Sequence, residues 1–189
     1  MIPAEQPAIK AAFNETVAQR EFPNETWINA DNINLNHVEM PKNADGIVIA
    51  MSRLPINLQE ELDFIKEIKS AIILKKLGAS VTLVPRIKDP ITGAFFAGPD
   101  AIVDGVLFEF KEITGGISKI GDRFKDSRKQ GNNVYLRVAN PNLSKRQVLS
   151  YFSRFINDPN YQGGYKGKII FSFGSENRPY FFRIMDFKK

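Results

Sequence analysis

Asp104, Glu109 and Lys111 are the residues whose chemical types and spacing best suit catalysis. Successive side chains of an extended segment point to opposite faces, so Glu109 and Lys111 share one face of residues 106–111, and apolar side chains form the other. Asp104 precedes Gly105 in a turn-forming pair, and a hairpin there would bring its carboxylate close to that of Glu109. Two carboxylates beside a lysine predict a magnesium site, because Mg²⁺ takes hard oxygen ligands together with water and substrate phosphate.

Such a site predicts hydrolysis of a phosphodiester bond. Lys111 can orient an attacking water, act as its base or stabilise the anionic transition state, and the sequence does not choose among these roles. The alternative is that Asp104 only serves the turn, and that Glu109 and Lys111 form an exposed ion pair of little energetic weight.

Composition narrows the chemistry further. The chain of 189 residues contains no cysteine, which excludes disulfides, thiolate zinc sites and cysteine nucleophiles. Its single histidine, His37, excludes two-histidine ribonuclease chemistry, although His37 as the general base of a metal-independent ribonuclease stays open beside a structural role. The formal charge of +5 favours a polyanionic partner, or serves solubility alone. No apolar stretch is long enough to span a membrane.

Periodicity and turn signals predict an α/β fold with a central mixed β-sheet flanked by helices. We expect helices near residues 8–20, 57–77, 117–131 and 144–157. We expect strands near residues 47–51, 80–84, 101–103, 106–111, 133–138, 168–173 and 180–187. Residues 1–56, interrupted by prolines, form an N-terminal extension or subdomain in this interpretation, and residues 57–189 form the catalytic domain.

The helix at 57–77 contributes a further candidate, Glu67. It interrupts an apolar stripe made by Phe64, Ala71 and Leu74, and a carboxylate aimed at a packed surface is unfavourable unless it is paired or holds a metal. Glu60 and Glu61 are rivals for the same role. The alternative for Glu67 is that it reaches solvent or pairs with Lys111.

A run of basic residues after the Glu-x-Lys strand predicts contacts with a nucleic-acid backbone. Its alternative is an ordinary solvated helix face. The run comprises Lys119, Arg123, Lys125, Arg128 and Lys129.

The series Pro99-Asp100, Asp104-Gly105 and Glu109-Phe110-Lys111, placed after a long helix, resembles the signature of the PD-(D/E)xK nuclease superfamily. The resemblance implies a restriction-endonuclease-like core and a Mg²⁺ or Mn²⁺ cofactor. It implies metal binding by Asp104, Glu109 and Glu67, with Asp100 as a supporting acid. It also implies that Gln130, on the helix after the Glu-x-Lys strand, approaches the catalytic centre.

The segment 130–136, together with Gly78 and Asp104-Gly105, resembles the C-terminal toxin domains of contact-dependent growth inhibition systems, and the resemblance covers residues 57–138. That resemblance implies cleavage of transfer RNA, a cognate immunity protein, and action in the bacterial cytoplasm after delivery from another cell as part of a larger secreted protein. A DNA endonuclease of the same superfamily is the first alternative. The second is a catalytically inactive module that binds nucleic acid or protein.

Overall fold

The structure is a computed structural model that describes residues 6–87, 89–95, 98–128, 133–157, 167–174 and 182–187, without the side chains of 6–9, 125–128, 155–157 and 182–187. The chain divides into two compact units, the first ending at Leu107 and the second beginning at Phe108. Each contains a mixed β-sheet and two helices, which confirms the predicted α/β class. Within the described ranges, no helix has the length and apolar character of a membrane span.

Two helices and four strands build the first unit. They are α1 (Gln6–Glu21), β1 (Trp27–Asn29), β2 (Val48–Ala50), α2 (Leu58–Lys76), β3 (Val81–Leu83) and β4 (Ala101–Val103). β2 pairs antiparallel with β1 and parallel with β3, and β4 pairs antiparallel with β3. Residues 1–56 thus supply two strands to this sheet. The domain boundary predicted after residue 56 stays a prediction.

The ends of α2 follow directly from the sequence. The Asn57 side chain accepts a hydrogen bond from the N–H of Glu60 at 2.9 Å, as expected of a helix N-cap. Acidic residues occupy the first turn and basic residues the last, which suits the helix dipole. Gly78 follows the helix with a φ of 87°, a left-handed conformation that glycine adopts without strain. The predicted helix is confirmed.

One buried polar side chain fixes α1 to the rest of the first unit. Asn14 is 1% exposed, and its amide nitrogen donates to the carbonyl oxygen of Ile102 at 3.2 Å and to the hydroxyl of Thr82 at 3.3 Å. Its amide oxygen accepts from the N–H of Gly105 at 2.7 Å. Because a buried amide without partners is destabilising, these bonds define where α1 can dock.

Asp104 and Gly105 form the turn that follows β4. Both have positive φ, 49° and 79°, as the two central residues of a type I′ turn require. A Cβ added at Gly105 would lie 3.1 Å from the Cβ of Phe13, so the close approach of α1 also favours glycine here. The turn predicted from this residue pair is confirmed.

The second unit carries the remaining elements. β5 (Val106–Ile113) begins at the end of the first unit and continues into the second, followed by α3 (Ser118–Arg128), β6 (Val134–Val138), α4 (Lys145–Asn157), β7 (Gly167–Phe173) and β8 (Phe182–Phe187). β6 pairs parallel with β5 and with β7, and β8 pairs antiparallel with β7.

The core of the second unit shows which face of its sheet the helices cover. Phe124 of α3 and Phe152 of α4 pack edge to face, with ring centroids 5.1 Å apart. Both belong to one buried cluster with Ile113 of β5 and Leu136 of β6. Because alternate residues of a strand share a face, α3 and α4 cover the face that carries these two side chains.

Candidate functional site

Glu109 and Lys111 lie on the helix-covered face of β5. They alternate with Phe108 and Phe110, so they share the face of Ile113. The ammonium of Lys111 donates to the carboxylate of Glu109, which is 3% exposed. The predicted arrangement on the strand is confirmed, and an exposed pair of little weight is excluded because Glu109 is buried.

Stability alone does not explain a buried carboxylate beside a partly buried ammonium. Removing one partner of a buried ion pair typically costs about 3–5 kcal/mol, but replacing both partners with apolar residues is often neutral or stabilising. A sequence under selection only for stability would favour the apolar pair. The charges of Glu109 and Lys111 are therefore compatible with the predicted chemistry at this position.

A second charged cluster occupies the first unit, and its centre is Arg53. This side chain, 1% exposed, donates from Nε to Oε2 of Glu67 at 2.9 Å and from Nη2 to Oδ1 of Asp100 at 2.8 Å. Its Nη1 also donates to the carbonyl oxygen of Val84 at 2.6 Å. One guanidinium thus joins a carboxylate of α2 to the carboxylate that precedes β4.

Burial and neighbouring charges shift the pKa values of Glu67 and Arg53. Burial raises the pKa of Glu67, against the opposing charge of Arg53. The pKa of Arg53 is raised as well, because the charges of Glu67 and Asp100 outweigh the effect of burial. Arg86 donates to the other oxygen of Glu67. Both oxygens of the Glu67 carboxylate are therefore bound by arginine.

The contacts of Asp104 differ from those of Asp100. The Asp104 carboxylate accepts from the N–H of Ser80 at 2.8 Å and forms an ion pair with Lys10 at 3.1 Å. Both contacts stabilise the turn and the docking of α1. The metal-binding role of Asp104 stays a prediction, and Asp100 is the acid that shares a partner with Glu67.

The two rival glutamates of α2 have structural contacts. Glu60 accepts from the N–H of Ile56 at 3.1 Å, beside the helix N-cap. Glu61 is 1% exposed and accepts from the N–H groups of Asn36, His37 and Val38 at 3.0, 2.9 and 3.1 Å. Nδ1 of His37 also contacts Glu61 at 3.1 Å. Glu61 therefore organises a loop.

The structure describes only some of the basic residues that are predicted to contact nucleic acid. Lys119 is exposed and pairs with Asp122 at 3.3 Å, and Arg123 is exposed on the same helix. Lys125 and Arg128 belong to α3, but their side chains lie outside the described part. Lys129 and Gln130 lie outside the described residues altogether. The role of this run, and that of Gln130, stays a prediction.

The donor chemistry of the acids fits a hard cation, since all of them are carboxylates. Among the described residues, no group of three acidic or histidine side chains could hold a metal ion. Mg²⁺ needs fewer protein ligands than that, because one or two carboxylates suffice when water and phosphate fill the other positions. Within either unit, the carboxylates are thus compatible in donor chemistry with a magnesium ion that shares its coordination with substrate.

Sequence reasoning missed the two arginines. Arg53 follows a short buried strand, and Arg86 follows the proline that ends the strand before the loop, so neither falls in a periodic pattern. The sequence indicates these arginines only indirectly. Because the apolar stripe of α2 predicts a buried Glu67, it also requires a cation or metal to neutralise that carboxylate.

Comparison with protein families gives one match. Residues 98–174, less than half of the chain, match the family described as the contact-dependent growth inhibition CdiA C-terminal domain. Members of that family form the C-terminal part of a larger secreted protein that is delivered to other cells. The match supports the predicted resemblance to growth-inhibition toxins. Neither the curated proteins nor the solved structures provide a match.

Proposed function

We propose that this chain is a metal-dependent endonuclease and acts as a bacterial toxin domain on transfer RNA. The observation that carries the enzymatic part is the contact of the buried Glu109 with Lys111, within the segment that matches the growth-inhibition family. The toxin part rests on that family match. A cognate immunity protein in the producing cell belongs to the same proposal.

The chemistry assigns a role to each residue. Mg²⁺ or Mn²⁺, when bound, supplies the Lewis acidity that makes water a nucleophile at neutral pH. Glu109 would hold the ion through a carboxylate oxygen. Lys111 would orient the attacking water and place a positive charge near the phosphoryl oxygens.

The remaining ligands come from the sequence motif. Asp104 and Glu67 are the acids that the resemblance implies, and Asp100 is a third candidate because it shares the guanidinium of Arg53 with Glu67. Gln130 enters by resemblance alone. The conservative variants Asp100→Asn and Asp104→Asn, assayed side by side, identify the acid that cleavage requires.

The exposed basic residues and the net positive charge of the chain favour a polyanionic substrate. The exposed Lys119 and Arg123 of α3 can contact phosphates, and the net charge of +5 would favour association with nucleic acid of either kind. Transfer RNA is preferred because of the toxin resemblance, and DNA is the alternative.

One observation favours a second candidate, a binding module without catalytic activity. The carboxylates of Glu67, Glu109 and Asp104 are each paired with an arginine or lysine. Carboxylates that are neutralised in this way need no metal. Such a module would tolerate substitution of Lys111 and depend on Arg123, Lys125 and Arg128 instead.

The deciding experiment is a cleavage assay on the full chain. Purified protein and its Lys111→Ala variant are incubated with total transfer RNA or plasmid DNA, each with Mg²⁺ or with EDTA. We expect cleavage of transfer RNA that requires Mg²⁺ and falls by about 100-fold or more in the variant.

A matched control uses another ion pair of β5. Glu112 contacts Arg137 at 2.5 Å and belongs to the opposite strand face, so Glu112→Gln tests whether loss of any charge from this strand abolishes activity. We expect that variant to cleave. No cleavage by well-folded wild-type protein on either nucleic acid, with binding retained, would select the binding module.

A further inference from the structure

Residues 89–94, between β3 and β4, are ordered by their own hydrogen bonds. The Asp89 carboxylate accepts from the N–H groups of Ile91 and Thr92 at 2.7 and 3.1 Å. The Asp89 N–H donates to the carbonyl oxygen of Ala94 at 2.8 Å, which closes the loop. Phe95 directly follows this closed turn.

Phe95 is stacked against Arg86. The guanidinium carbon of Arg86 lies 5.1 Å from the centroid of the Phe95 ring, a cation–π distance. The ring is 41% exposed, although buried aromatic rings are the rule in globular proteins. Together the two side chains border a small pocket with Ser52, Leu54 and Phe64.

Arg86 is positioned by the buried cluster of the first unit. It donates to Glu67, whose carboxylate is fixed in turn by Arg53. Its side chain is still 26% exposed. A guanidinium carries five N–H donors in a planar fork, and it can bind a carboxylate and a phosphate oxygen at once.

We propose that Phe95 and Arg86 form a nucleotide-binding subsite, in which an unpaired base stacks on Phe95 and the phosphate accepts hydrogen bonds from Arg86. The subsite rests on the proposed function and deepens it by naming the substrate class. A base inside a duplex is already stacked on both sides, whereas an unpaired base has a free face for an aromatic ring. The subsite therefore selects single-stranded segments or loops.

The pairing of an aromatic ring with a guanidinium favours a nucleic acid over a protein partner at this place. Phe95 offers a π-face, and the adjoining Arg86 offers planar donors, which together match a base and its phosphate. The same loop also exposes Ile87 and Ile91, 59% and 92% accessible, which suit a protein surface better. Recognition through the isoleucines rather than the aromatic ring is the competing outcome.

The test measures binding separately from cleavage. The Lys111→Ala chain, in EDTA, is titrated with a fluorescein-labelled single strand of uridines and with a labelled duplex, and anisotropy gives the dissociation constants. We expect Phe95→Ala to weaken binding of the single strand by about five- to 100-fold, the range measured for loss of one stacking partner. We expect duplex binding to change by less than about twofold.

Further variants separate stacking from bulk. Phe95→Leu keeps an apolar side chain without a π-face and should weaken binding as Phe95→Ala does. Phe95→Trp should retain affinity, and its added indole fluorescence should be quenched when the single strand binds. Circular dichroism confirms that each variant is folded.

Two control variants complete the design. These are Phe13→Ala, at an aromatic residue of α1 that is 57% exposed, and Ile91→Ala, in the loop that contains Phe95. Both variants should bind the single strand as the parent chain does.

If the chain binds the single strand and Phe95→Ala leaves binding unchanged, the subsite is refuted and the nuclease proposal stands. If Ile91→Ala weakens binding and Phe95→Leu does not, apolar recognition replaces stacking. If the wild-type chain neither binds nor cleaves nucleic acid, the proposed function fails and the subsite with it.

Discussion

The two units neutralise a buried glutamate in different ways. In the first unit, Glu67 is bound by Arg53 and Arg86, and Arg53 also reaches Asp100. In the second unit, Glu109 contacts Lys111, two residues along the same strand. Arginine binds through a rigid planar fork, whereas lysine is a compact charge on a flexible stem. The first cluster is suited to holding geometry, and the second to orienting a water.

The largest effect expected from this comparison is on stability. Arg53→Met would leave the buried carboxylate of Glu67 without its principal partner, and we expect the free energy of unfolding to fall by about 3–5 kcal/mol. Urea denaturation measures it. Lys66→Ala, which removes an exposed ion pair with Asp63 on the same helix, should lower stability by less than about 1 kcal/mol. Equal losses in the two variants would show that the Arg53 cluster has no special structural weight.

The next largest effect is on cleavage, and it tests whether Lys111 contributes only its positive charge. Lys111→Arg retains the positive charge but replaces a point charge by a wide planar fork, so we expect cleavage of transfer RNA to fall by about 100-fold. Chemical denaturation should show that most of the stability remains. Single-turnover kinetics measure the rate, and a variant with full activity would mean that Lys111 supplies charge alone.

The smallest effect concerns Glu61, a buried glutamate whose charge is stabilised mainly by hydrogen bonds from backbone N–H groups. Hydrogen bonds from Asn36 and His37 lower the pKa of Glu61, and together they outweigh burial, which raises it. A carboxyl whose pKa is lowered by folding stabilises the protein above its ordinary pKa of 4.5, and this contribution is lost as the pH falls through the lower folded value.

The corresponding variant is Glu61→Gln. We expect it to be less stable than wild type at neutral pH and to approach the stability of wild type well below pH 4.5. Thermal unfolding across that range measures the difference. A constant difference at all pH values would show that the shape of Glu61, rather than its charge, orders the loop.

Features that depend only on residues close together in the sequence could be predicted. Asn57 and Gly78 define the ends of α2, the Asp104-Gly105 pair defines a turn, and the period of two on β5 places Glu109 beside Lys111. Each of these depends on residues within one element or its immediate flanks.

Arg53 could not be predicted in the same way. It ends a short 3₁₀ turn (Met51–Arg53), and its acceptors are 14, 31 and 47 residues away. No periodic pattern encodes contacts at such separations. Strand β1 was missed for a related reason, because its three residues are too few to show alternation.

Asn14 has a consequence for the order in which the chain can fold. Its bonding partners Thr82, Ile102 and Gly105 lie 68, 88 and 91 residues further along the chain. α1 leaves a ribosome before these partners do, and its docking position does not exist until Gly105 has been synthesised. Contacts this distant in sequence require closure of a long loop and slow the folding that depends on them. The first helix of the chain is therefore among the last to become fixed.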